Sequence, residues 1–83
     1  MSEYQDAFDR HVRTRLESSF GKAVAMLILA SASNSANAPM VGMEREHYVG
    51  LCSAICTDRR VVDMWGAAGA HDTLEQWKKV IGD

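Results

Sequence analysis

Apolar positions in the first third of the chain recur every three or four residues. Phe8, Val12, Leu16, Phe20, Ala23, Leu27 and Ala30 draw one stripe along a helix, and few β-branched residues interrupt it. Ser2 is placed to cap the helix start, with Glu3 and Asp6 near the positive end of the helix dipole. The spacing predicts a helix over about 2–32. Gly21 is its weak point, costing about 1 kcal/mol relative to alanine, and is the natural place for a kink or a close helix approach. At 1.5 Å per residue such a helix is roughly 45 Å long.

Inside that helix, the segment AVAMLILA from Ala23 to Ala30 is apolar at eight positions in a row. A helix on the surface of a small monomer normally keeps a polar face. One that is apolar all round has to be covered on every side, so the run points to a second surface. Val24, Met26, Ile28 and Leu29 are the surplus positions expected to meet another chain. Burying four such side chains is worth on the order of 6–10 kcal/mol before association costs.

The stretch SASNSANAP from Ser31 to Pro39 breaks the pattern. Ser and Asn compete for backbone hydrogen bonds, and proline stops a helix before it, so a reversing loop is expected over 31–42. Helical spacing resumes over about 43–65, through His47, Leu51, Ala54, Ile55, Val62 and Trp65. Asp58 and Arg59 interrupt that stripe. Thr57-Asp58 can serve as a fresh cap, but one helix is favoured, with Thr57 as the place where it would break. Gly66-Ala67-Ala68-Gly69-Ala70 is expected to end it. A third helix follows over about 72–81, started by Asp72 with Glu75 three residues on and closed by Gly82. Leu74, Trp77 and Ile81 share its face.

No strand pattern competes, so the expected fold is all-α. It is a long antiparallel helical hairpin plus a short C-terminal helix, one domain over 1–83, assembled as a homo-oligomer. Leu16, Phe20, Leu27, Leu51, Ile55, Val62 and Trp65 are expected to form the seam between the two long helices, with Trp77 and Ile81 covering one end.

Size strengthens the case for assembly. A chain of 83 residues hides only about 60% of its unfolded surface when it folds alone, and two cysteines are too few for a disulfide framework. Charge excludes more than it suggests. The net charge is −2, and Arg10, Arg13, Arg15 and Lys22 alternate with Glu3, Asp6, Asp9 and Glu17. That is a mixed solvated face, not the uncompensated basic stripe that nucleic acid requires. The apolar run falls well short of the ~20 residues of a membrane span. Ala30-Ser31-Ala32 has the style of a leader cleavage site, but the segment ahead of the run is long and rich in acids. The run is therefore assigned to the fold, and the protein to the cytoplasm.

Candidate chemistry is thin. Cys52 and Cys56 stand at i and i+4, a spacing that intact helical geometry rarely bridges with a disulfide. Glu44-x-x-His47 has the spacing of di-iron carboxylate helices, for which Glu17 is a candidate further ligand. Together, Glu44, His47, Cys52 and Cys56 are the metal candidates, each with a plainer reading as a helix cap or a small core hydrophobe. His71-Asp72 has no Gly-x-Ser-x-Gly elbow to serve. Trp65 and Trp77 suit either a core or an interface, and both join the expected partner interface with Val24, Met26, Ile28 and Leu29.

No enzyme and no cofactor are expected. The expected role is a non-enzymatic, oligomerising protein-binding module, of the kind made as small bacterial or phage accessory or inhibitor proteins. Its partners are itself and another protein. One alternative is a structural component of a larger assembly such as a phage particle. A second is a small metal-binding helical protein using Glu44 and His47.

Overall fold

The computed structural model describes residues 3–82, so the expected cap at Ser2 lies outside the described residues. All regular structure within them is helical. The chain opens with α1 (Glu3–Ala7), a π-helical segment (Phe8–Arg13) and α2 (Thr14–Phe20). The joining residues Ala7 and Arg13 keep right-handed helical angles, so 3–20 is one rod. The spacing explains the π segment. Phe8, Val12 and Leu16 step by fours and all three are fully buried. A step of four drifts about 40° around an α-helix. The wider turn of a π segment takes up part of that drift and keeps all three on the core.

Gly21 ends the rod with φ 83° and ψ 163°, and α3 (Lys22–Ala36) starts immediately beyond it. That region of backbone space is essentially open to glycine alone. The expected single helix over 2–32 is thus two helices meeting at a corner. A straight helix of that length would overrun the molecule, whose longest axis is 31 Å. The radius of gyration, 11.4 Å, is close to the ~12 Å expected of a compact chain this long.

The expected loop over 31–42 starts too early. Helix α3 continues through Ser31 and Asn34 to Ala36 and stops at Asn37 in the left-handed conformation (φ 52°). The Asn37 and Ala38 N–H groups close back onto the carbonyls of Asn34 and Ser33 at 3.3 and 3.1 Å, the hydrogen-bond pattern of a helix C-terminus. Packing outweighs local propensity here. Ala32 is buried, and the Ala36 Cβ lies 3.7 Å from where a Cβ on Gly50 would stand. Small residues on both sides let α3 and α4 approach closely.

Helix α4 (Arg45–Thr57) ends where the sequence allowed a break, not where it was expected to continue. Asp58 is extended and caps α5 (Arg59–Val80), its Oδ1 accepting the Arg60 N–H at 2.8 Å. The same carboxylate pairs with the Arg60 guanidinium at 2.8 Å, which holds its pKa below the usual carboxylate range. The cap therefore persists at neutral pH and is lost only in acid. The break also resets the helix phase, so Val61 replaces Val62 as the fully buried valine.

Gly66 (φ 78°, ψ 159°) is non-helical and divides α5 into two helices that meet at a kink. The expected helix end over 66–70 thus falls at its first residue, but the next helix resumes at once rather than at Asp72, which is exposed inside it. Gly82 closes the element as expected, its N–H reaching the Lys79 carbonyl at 3.0 Å. Helix α4 packs against both α3 and α5. Its inner face carries Tyr48, Leu51, Cys52 and Ile55 into the core, against Phe8, Val12, Leu16, Ile28 and Val61.

Candidate functional site

Helix α3 holds the positions expected to meet a partner, and the structure divides them. Ala25, Ile28, Leu29 and Ala32 are buried, with Ile28 at 0% and Leu29 at 5% exposure. These four follow the i, i+3, i+4, i+7 rule and mark a single inward arc. Ile28 and Leu29 therefore belong to the chain's own core, which corrects their place in the expected interface. Val24 and Met26 do stand outside, Met26 at 69% exposure. Leu27, expected in the seam between the helices, is 59% exposed instead. Ala23 and Ala30 are exposed beside them. A run without polar residues offers no phase, so the sequence shows that α3 has an apolar excess but not which side carries it.

The outward face from Ala23 to Ala30 consequently carries Ala23, Val24, Met26, Leu27 and Ala30, with no polar side chain among them. Lys22 precedes the face and Ser31 follows it. Met26 also borders a small groove with Leu29, lined on its other side by Arg13, Glu17 and Lys22.

The two tryptophans serve the interior. Trp77 is 4% exposed, which removes it from the expected interface. Trp65 is half-buried in a cluster drawn from both ends of the chain. Its Nε1–H donates to Ser19 Oγ at 3.1 Å, and the Arg15 guanidinium lies 4.8 Å over its ring. Its ring centroid stands 6.0 Å from Phe20 and 6.1 Å from Trp77.

The metal candidates have structural occupations. The Glu44 side chain accepts the His47 backbone N–H, while the Glu44 N–H donates to His47 Nδ1 at 2.9 Å. That reciprocal cap starts α4 and occupies the Nδ1 lone pair of His47. Among the described residues, no group of three or more His, Cys, Asp or Glu side chains is arranged to hold a metal ion.

Cys52 and Cys56 are free and buried. Burial pushes the Cys52 thiol well above its ordinary range, and Cys56 beside it adds to the shift. Burial likewise pushes Cys56 up to about 11, against a lowering from Arg15. Thiolate is the reactive form, so both thiols are expected to resist a water-soluble disulfide reagent at neutral pH and to react fully in denaturant. Rapid labelling of the folded protein would contradict this.

Tyr48 is the interior residue that the expected stripe missed. It is fully buried, and its hydroxyl donates to the Trp77 carbonyl at 2.7 Å. In a continuing helix that carbonyl would take the Ile81 N–H, which turns instead to Lys78. The tyrosine thus satisfies a carbonyl orphaned at a helix end. The signal was present: Tyr48, Leu51, Cys52 and Ile55 follow the 3–4 spacing one position away from the stripe drawn through His47. Phe8 packs edge-on against the Tyr48 ring at 6.3 Å.

No helix among the described residues is long and apolar enough to cross a membrane. A scan against protein-family models finds no match, and comparisons with curated proteins and with solved structures likewise return none.

Proposed function

We propose that this chain is a non-enzymatic self-association module, with the α3–α4 hairpin presenting the outward face of α3 to a second copy. The single observation that carries the reading is that face, where Met26 and Leu27 are more than half exposed side by side. Residues of this size are rarely left together on a monomer without a use.

A second copy fits the chemistry. No charged residue occurs between Lys22 and Glu44, so two such faces meet without an unpaired charge. A two-fold axis near Leu27 brings the two Leu27 side chains together, flanked by the small Ala23 and Ala30 of each helix, and separates the two Lys22 ammonium groups. Only a few side chains contribute, which places the contact below the ~1,000 Å² of a stable interface. The dimer is therefore weak, with a dissociation constant on the order of 100 µM.

Sedimentation equilibrium from ~10 µM to ~1 mM tests this. The mass is expected to climb from one chain to two, and Leu27→Glu is expected to remain a single chain throughout. A wild-type mass that stays constant over the range would remove the proposal.

A further inference from the structure

We infer that Gly21 is a hinge through which two copies of the chain exchange their first rods, residues 3–20. This goes beyond the contact on α3, because it does not require that face to be covered.

Three observations support it. First, the corner is a single residue wide. The Gly21 N–H already reaches the Glu17 carbonyl at 2.8 Å, and the Gly21 carbonyl already accepts the Ala25 N–H at 3.0 Å. Both are i to i−4 bonds, so turning the backbone angles of one residue to helical values joins the rod and α3 into one helix of ~50 Å. Second, no neighbouring atom demands a glycine at the corner. A Cβ at Gly21 would meet nothing within 4 Å, so the glycine is there for its backbone angles alone. The rest of the helical pattern already reads straight through it. Third, the rod is held by contacts that a second copy can reproduce unchanged. Phe8, Val12 and Leu16 enter the core, Gln5 Oε1 accepts the Gly42 N–H, and Ser19 takes the Trp65 indole N–H. In an exchanged pair each rod finds these partners on the other chain, which is the low-cost route to a dimer.

Gly21→Ala is the test. Alanine favours the helix and does not tolerate the corner's angles. Refolded from denaturant at high protein concentration, wild type is expected to yield a minor dimer that survives dilution and gel filtration. Gly21→Ala is expected to raise that dimer at least tenfold. Inserting two further glycines after Gly21 relaxes the corner and is expected to return the monomer. Adding Leu27→Glu to Gly21→Ala is expected to leave the persistent dimer intact, whereas a dimer made only by the α3 face dissolves. Failure of the α3 reading and failure of the exchange are thereby told apart. A folded, strictly monomeric Gly21→Ala overturns the inference, as does its dimer dissolving with Leu27→Glu. Should Gly21→Ala not fold, the wild type decides alone: no dilution-resistant dimer after refolding at high concentration overturns it.

Discussion

Ile28→Glu is expected to abolish the fold, while Leu27→Glu, one residue earlier, leaves it intact. Ile28 is fully buried among apolar side chains and Leu27 is 59% exposed. A glutamate at 28 loses the packing of the isoleucine and places a carboxyl group where no partner waits for it. Losses above 4–5 kcal/mol come from this kind of change. A chain of this size holds roughly 4–12 kcal/mol of stability in total, so such a loss takes most or all of it. Far-ultraviolet circular dichroism at 25 °C is expected to show the helical signal lost for Ile28→Glu and kept for Leu27→Glu, whose melting point shifts by only a few degrees. Equal damage from the two substitutions would mean that α3 faces the core by another side.

Phe8→Ala carries the second large effect. Phe8 is fully buried on the π segment and meets Tyr48 edge-on. Truncating a buried phenylalanine costs about 3–5 kcal/mol, through lost transfer energy and the cavity left behind. The cavity would open beside Tyr48, whose hydroxyl holds the end of α5 through the Trp77 carbonyl. Urea unfolding is expected to move to far lower denaturant, with Phe8→Leu recovering most of the loss. A shift below about 1 kcal/mol would show that the rod is not part of the cooperative unit.

These two residues show where sequence reading succeeds and where it stops. Phe8, Val12 and Leu16 alternate with charged neighbours such as Asp9, Arg10 and Arg13, so the polar positions mark the outward side and the apolar ones must turn in. Along α3 that contrast vanishes. Between Ala23 and Ala30 every phase of the helix is equally apolar, and Ile28 is distinguished from Leu27 only by where α4 lies. Element ends divide in the same way. The Asp58 cap and the Gly82 stop are local chemistry and could be read as such, although the sequence preferred an unbroken helix across Asp58. The continuation of α3 to Ala36 could not, because it depends on the burial of Ala32 and on the close approach of Ala36 to Gly50 on the neighbouring helix. Asp72 followed by Glu75 was misleading for the converse reason: a good capping pair does nothing when the helix is already running.

By itself the sequence determined that this chain is all-helical, roughly where its helices lie, and that α3 carries more apolar surface than a helix of a small monomer needs. Periodicity and capping are short-range, and a few neighbouring residues suffice to express them. The tertiary structure alone decided that the chain turns sharply within one residue at Gly21 and Gly66, that Tyr48 closes the end of α5, and that Leu27 faces outward while Ile28 and Leu29 face in. A glycine only permits a bend, and an apolar side chain only requires cover. Which bend is used, and which side chain is covered, depends on the elements that pack alongside.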